Sequence, residues 1–376
     1  MKITILQGAF LPVPAIRGGA IEKAWNSLGQ IFSKEGHEVT HVSRRCDGLK
    51  EEEWIGGVHH LRVSGFDSVQ NKWLLKLKEW FYVYRARKVL PASDILVTHT
   101  FWAPLMLDPQ RYGKIYVHVG RYPKGQFKFY SKASRFQVPT IAIKGAVKKE
   151  IPYRDKEISV LPYPLDWNVK SYANYETRPK RMLYLGRLHP EKGVLELANA
   201  FREVSVKLRG EWCLRVRGPW KIEQGGGGRK YLSDLQKVAK LSRGTIEILD
   251  PTFSQVELIN ELEASRFFVY PSLAEKGETF GLAVLEAMSC GSVPIVSSLP
   301  CFKDLVASQK TGYVLDPLAS NIEKSLSRIL LDAIQSVDVA KLYSSRCLER
   351  AKEFELDRVA QKYLEDFSSM LTEKES

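Results

Sequence analysis

The sequence predicts an α/β fold of two doubly wound, Rossmann-like domains, and three observations carry that expectation. The chain is 376 residues long, more than one ordinary core accommodates. Short apolar runs bounded by turn residues recur in both halves. Longer segments with helical spacing lie between them. Such runs alternating with helices mark parallel strands covered on both faces, and two series mark two sheets.

In the first half the strand-like runs are 3–6, 38–43, 58–63, 95–99, 115–119, 140–143 and 158–161. In the second they are 182–185, 213–217, 246–249, 267–270, 294–297 and 313–315. The periodic pattern breaks over 162–180, where Pro162, Pro164 and Pro179 oppose helix. That places an N-terminal, acceptor-binding domain at 1–165 and a nucleotide-sugar-binding domain at 166–355. Residues 356–376 complete the chain as a C-terminal helix crossing back to the first domain. Its core, 358–371, has amphipathic spacing. Four consecutive glycines, 225–228, disfavour regular structure and predict a mobile loop, either a connector or a lid.

Composition narrows the function classes. Charged residues at 26% and hydrophobic residues at 44% are ordinary for globular protein. No apolar run approaches the length of a membrane span. Lys2 to Leu6 already reads as a buried strand, so no leader peptide is expected. Cys46, Cys213, Cys290, Cys301 and Cys347 show neither paired nor metal-ligand spacing, which fits reduced thiols in the cytoplasm. The net charge is +13. Residues 1–170 hold 27 Lys and Arg against 15 Asp and Glu, whereas 171–376 hold 29 against 28. An anionic partner is therefore expected for the first half alone.

The second half holds the clearest chemistry. Glu278 to Glu286, followed by Gly291, predicts a helix starting near Gly281 and ending at Gly291. Its first amides lie around Gly281, Leu282 and Ala283, with Phe280 just before them. Those amides lack intrahelical partners and form an anion site, and Gly281 admits close approach of a ligand to the backbone. Glu286 lies inside the helix, where a carboxylate can accept both ribose hydroxyls. Glu278 lies before it, beyond the phosphates on the sugar side. A second element, Gly186-Arg187 with Glu191-Lys192-Gly193, follows the strand 182–185 directly. Two cations at a strand's carboxyl end suit a diphosphate.

These blocks, with Tyr270-Pro-Ser and Ala287-Met-x-Cys-Gly291-x-x-Pro294, resemble glycosyltransferase family 4 over roughly 181–317. The resemblance implies the GT-B fold, with both domains facing a central cleft, and retention of anomeric configuration. It implies that Arg187 and Lys192 hold the diphosphate, Glu286 the ribose and Glu278 the transferred sugar. Backbone around Thr252, Phe253 and Ser254 would meet the base. Two departures stand out: Gly218-Pro-Trp220 replaces a Gly-x-Gly, and Asp304 stands where glutamate is usual.

In the first half, Gly18-Gly19 before a helix offers another close approach to phosphate or sugar. No Gly-x-Gly-x-x-Gly follows the first strand, which argues against a hydride-transfer enzyme. His118 ends a buried strand; such a histidine is ordinarily a structural hydrogen-bonder, and the resemblance implies that it faces the donor sugar. His99 is the weaker candidate. Residues 72–90 and 121–135 interleave aromatic residues with Lys and Arg. Both suit an anionic membrane surface; the bland alternative for 72–90 is a core-facing helix with solvated charges, and the alternative for 121–135 is a nucleic-acid contact. No nucleic-acid motif accompanies them, so a glycan or lipid-diphosphate acceptor is favoured.

The expected enzyme is thus a retaining hexosyltransferase of polysaccharide or glycolipid synthesis, using a UDP-sugar of glucose type. Arg187, Lys192, Glu278 and His118 are its catalytic candidates. No cofactor or metal is expected, because no Asp-x-Asp occurs and two cations with a helix end face the leaving group. Its expected place is the cytoplasm, peripheral on the inner face of the membrane. The competing readings are a sugar-nucleotide epimerase of the same fold and a basic, non-catalytic lipid- or nucleic-acid-binding protein.

Overall fold

The computed structural model describes residues 1–69, 71–167 and 174–372. The chain divides into two compact units, Met1–Asp166 with Phe354–Ser376, and Trp167–Glu353. The division falls within 162–180, of which 168–173 lie outside the described residues.

In chain order the first unit contains β1 (Lys2–Leu6), α1 (Ala20–Lys34), β2 (Glu38–Arg44), β3 (Glu52–Ile55) and β4 (Val58–Val63). There follow α2 (Lys72–Ala86), β5 (Ile95–Thr98), α3 (Ala103–Met106), α4 (Pro109–Tyr112), β6 (Lys114–His118), β7 (Ala133–Val138), α5 (Ile141–Glu150) and β8 (Ile158–Val160). The strands form one sheet in the order β3-β4-β2-β1-β5-β6-β7-β8. All pairs are parallel except β3 with β4. Side chains alternate across the sheet. Ile3, Ile5 and Val39 pack with Trp25, Leu28 and Phe32 of α1 on one face. Leu6, Val42 and Leu96 pack with Tyr82 and Val83 of α2 and with Ile143 and Val147 of α5 on the other. Each side chain buried this fully contributes about 1.5–3 kcal/mol.

The second unit contains β9 (Arg181–Leu185), α6 (Val194–Lys207), β10 (Cys213–Arg217), α7 (Gly228–Leu241), β11 (Ile246–Leu249) and α8 (Gln255–Glu263). It continues with β12 (Phe267–Tyr270), α9 (Leu282–Ser289), β13 (Val293–Ser297), β14 (Tyr313–Leu315), α10 (Ile322–Gln335) and α11 (Val337–Ala351). Its sheet is wholly parallel, ordered β11-β10-β9-β12-β13-β14. The chain moves outward from β9 to β11, then returns to the other side of β9 at β12. The carboxyl ends of β9 and β12 therefore flank a topological switch point, where open α/β sheets bind ligands.

The last helix, α12 (Leu356–Thr372), belongs to the first unit. Val359, Ala360, Tyr363, Leu364, Phe367 and Met370 recur at steps of three and four and bury against Ile3, Trp25 and Phe32. Asp366 fastens it to the sheet, accepting from Tyr116 Oη and Ser159 Oγ at 2.7 Å each.

Three expectations are corrected. Residues 140–143 are not a strand. Thr140 caps α5 by accepting from Ile143 N at 3.3 Å. The strand lies just before, at β7, where buried Arg135 and Gln137 interrupt the apolar pattern. Residues 225–228 are not wholly irregular, because Gly228 begins α7. Gly227 N donates to Leu188 O at 2.7 Å and Gly228 N to Trp220 O at 2.8 Å. A Cβ on Gly226 would stand 2.2 Å from the Trp220 carbonyl carbon, so these glycines serve close packing. Residues 121–135 present little of their aromatic content outward. Phe127 and Tyr130 are buried and only Phe129 is strongly exposed, because the segment leads into β7 and roofs the first core.

Candidate active site

The second sheet's switch point brings together the two motifs that the sequence separates widely. After β9, Gly186 N donates to Arg217 O at 3.2 Å and Leu188 N to Pro219 O at 2.9 Å. A Cβ on Gly218 would lie 1.8 Å from Gly186 O, so the loops after β9 and β10 touch backbone to backbone. Gly218 thus supplies the close approach expected of a Gly-x-Gly, with Pro219 and Trp220 beyond it.

The loop after β9 then makes one 3-10 turn, Pro190–Lys192, and enters α6 at Gly193. Gly193 has φ 68°, and a Cβ there would meet Pro271 O at 2.3 Å. That contact, with Leu273 N donating to Glu191 O at 2.8 Å, stitches the loop to the segment after β12. Lys192 and Glu278 meet as a result. Lys192 Nζ donates to Glu278 Oε1 at 2.5 Å, and Ser272 Oγ donates to the same oxygen at 2.9 Å. Burial, then the Glu278 carboxylate, push the Tyr270 hydroxyl well above the usual range. Tyr184 and Tyr270 stack at 5.7 Å beneath the site.

Arg187 is half exposed above this pair. Its guanidinium donates to Glu191 Oε1 at 2.8 Å and to Gly225 O at 2.7 Å. Glu191 also lies 3.8 Å from Lys192 Nζ. Two cations and two carboxylates therefore alternate across the switch point, and an arriving anion can exchange with the carboxylates for the cations.

The helix α9 starts where the sequence places it. Gly281 is its N-cap with φ 95°, and a Cβ there would lie 2.7 Å from the Phe302 ring. Val284 N is the first amide to bond back to Gly281 O, at 2.9 Å, so Leu282 and Ala283 precede the intrahelical ladder. Phe280 is buried beside the cap, and Glu286 is partly exposed inside the helix. Thr252 and Phe253 follow β11, two strands from β9 and roughly 10 Å across the sheet. Phe253 is 65% exposed.

In the first unit, Gly18 and Gly19 precede α1, and Gly19 caps it with φ 113°. A Cβ on Gly19 would meet Glu22 Oε2 at 2.2 Å, so the helix's own carboxylate fills the space that the glycine leaves. Burial raises the Glu22 carboxyl; its backbone bond, a bond with Gln7 and the charge of Arg121 oppose the rise. His118 ends β6 with both ring nitrogens engaged, Nδ1 by Gln137 and Nε2 by Tyr163 Oη at 2.9 Å. Burial pushes it down to about 4, so it is neutral. His99 lies 4.9 Å from it, ring to ring. Sequence reasoning missed Glu79 and Gln7. Both are buried at the carboxyl side of the first sheet, and a charged residue on an amphipathic helix gives no sign of burial.

An α/β chain of two doubly wound units with such a switch-point site has the architecture of the GT-B class. Its structure is similar to sucrose-phosphate synthase from Thermosynechococcus elongatus, with TM-score 0.76 and 16% identity over 98% of this chain and 99% of that one. Residues 169–344 match the family described as glycosyl transferases group 1. Two relatives are GDP-mannose:cellobiosyl-diphosphopolyprenol alpha-mannosyltransferase of Xanthomonas oryzae pv. oryzae and O-antigen chain mannosyltransferase B of Escherichia coli. The first is 27% identical over 54% of this chain and 51% of its own length. The second is 30% identical over 46% and 41%. The matches thus span about half or less of these relatives' lengths. Among the described residues, no helix is long and apolar enough to cross a membrane.

Proposed function

We propose that this chain is a retaining glycosyltransferase that moves a hexose from a nucleotide-diphosphate sugar to a glycan or lipid-linked acceptor at an anionic membrane surface. The observation that carries the reading is the alternation of Arg187, Glu191, Lys192 and Glu278 at the switch point of the second sheet. In the reaction the bond from the anomeric carbon to the diphosphate oxygen breaks, and a bond from that carbon to the acceptor oxygen forms on the same face. The acceptor proton passes to the leaving phosphate. Negative charge gathers on the diphosphate, where Arg187, Lys192 and the first amides of α9 stabilise it. Glu278, released from Lys192, accepts hydroxyls of the sugar, and Glu286 those of the ribose. Thr252 and Phe253 receive the base. Gly18 and Gly19 are assigned to donor binding, and His118 to the transferred sugar, as a neutral hydrogen-bonding group.

The donor proposed from the sequence is UDP-glucose. A second reading, GDP-mannose, is favoured by the donor named for the Xanthomonas relative. A thermal-shift panel of UDP-, GDP- and ADP-sugars decides between them, since ligand at about 100 times Kd adds about 2.7 kcal/mol of stability. No shift with any of them overturns the reading. Product analysis follows: an epimerised free sugar makes the chain an epimerase, and an inverted linkage removes retention. Turnover is expected to survive EDTA, and a strict requirement for a divalent ion overturns metal independence.

A further inference from the structure

Helix α2 turns its apolar stripe away from the core. Its buried positions are Glu79, Tyr82, Val83 and Ala86. Trp73 is 84% exposed, Leu77 51% and Phe81 42%, and Leu74 and Tyr84 are exposed beside them. At about 100° per residue these five side chains share one face of the helix. Lys72 and Lys76 run along one margin, Lys78 and Arg85 along the other, and Arg87 and Lys88 close the C-terminal end. Arg87 and Lys88 both reach over the Tyr84 ring, at 4.9 and 5.1 Å. Glu79, the only carboxylate of α2, points to the buried side and accepts from Phe101 N at 3.2 Å.

From this we infer that α2 is a docking surface for an anionic lipid bilayer. Trp73, Leu74, Leu77 and Phe81 enter the boundary between headgroups and acyl chains, and the flanking Lys and Arg meet lipid phosphates. Charge selects this occupant over a second copy of the chain. A symmetric dimer would set six cations against six cations with no exposed carboxylate of α2 between them. The same helix holds the loop after β5, because Trp102 Nε1 donates to Lys76 O at 2.8 Å in addition to the Glu79 contact. Docking through α2 therefore fixes the carboxyl edge of the first sheet relative to the headgroups. This deepens the membrane clause of the proposed function and is tested without reference to sugar transfer.

The test is co-sedimentation of the full chain with vesicles of phosphatidylcholine alone and of phosphatidylcholine with phosphatidylglycerol in equal parts. Binding is expected to the anionic vesicles only and to weaken as salt rises. In the triple variant Trp73→Ser, Leu77→Ser, Phe81→Ser, and separately in Lys72→Gln, Lys76→Gln, Lys78→Gln, partitioning is expected to fall about tenfold or more. The urea midpoint of each variant should match the parent's, because the replaced side chains lie outside the core. Absence of binding by the parent, equal binding to neutral vesicles, or full binding by either variant overturns the inference. So does a dimer in sedimentation velocity that the apolar variant dissolves. Vesicle binding without any nucleotide-sugar shift leaves the docking surface standing and removes the transferase reading.

Discussion

Lys192 Nζ and Glu278 Oε1 form an ion pair whose side chains are 4% and 9% exposed. Removing one partner leaves the other charge buried and uncompensated, at a cost of about 3–5 kcal/mol. Lys192→Ala and Glu278→Ala should each lower urea stability by that order. Lys192→Met with Glu278→Met should cost far less than the two single changes together. Turnover of the proposed reaction should fall about 100-fold or more in every case. Additive stability losses would show that the pair is not coupled.

Arg187 uses separate nitrogens for Glu191 and Gly225 O. A lysine supplies a point charge in place of this fork. Arg187→Lys should weaken donor binding about tenfold while leaving the melting temperature of the unliganded chain nearly unchanged. Isothermal titration with the nucleotide sugar identified by the panel measures it, and unchanged affinity would remove Arg187 from the site.

Gly218→Ala would press a methyl to within 1.8 Å of Gly186 O. The loop bearing Arg187 must shift, so stability should fall by about 2 kcal/mol or more, and donor affinity with it. Gly145 is the matched control. It lies in α5 with no atom within 4 Å of an added Cβ, and Gly145→Ala should add about 0.5–1 kcal/mol. Denaturant midpoints of the two variants should move in opposite directions.

Two buried groups of the first unit set opposite pH limbs. Burial raises the Glu79 carboxyl to about 7 from 4.5. Between those values the native state holds a proton that the unfolded state has lost, so stability falls as pH rises through the window. The loss reaches about 3 kcal/mol, and Glu79→Gln should abolish it. His118 is lowered to about 4 from 6.5, so the unfolded state gains its proton first and stability falls as pH drops from 6.5 to 4. His60 is lowered to about 4 as well, so His118→Asn should remove only part of that acid limb. Urea midpoints across pH 4 to 8 give both slopes.

The parallel strands were legible because a strand covered on both faces must be apolar throughout. Strand β7 was hidden for the same reason reversed: Arg135 and Gln137 are buried there, held by Lys156 O and Leu161 O. The start of α9 was readable at Gly281, since a helix terminus is a local backbone event. The Lys192–Glu278 contact was not, because it joins residues 86 apart through a strand order that no local pattern encodes. Periodicity likewise showed the stripe on α2 but not its direction. Tyr82 and Val83, on the other side of the helix, take the core.

The first unit is completed by α12, which follows the whole second unit in sequence, although its sheet ends at β8. During synthesis the second unit can close around its own core once residue 353 has left the ribosome. Until α12 emerges, Ile3, Trp25 and Phe32 lack the cover of Tyr363 and Phe367. The part made first is therefore finished last, and a stalled or shortened product would carry a mature second unit beside an apolar face open to chaperones and proteases.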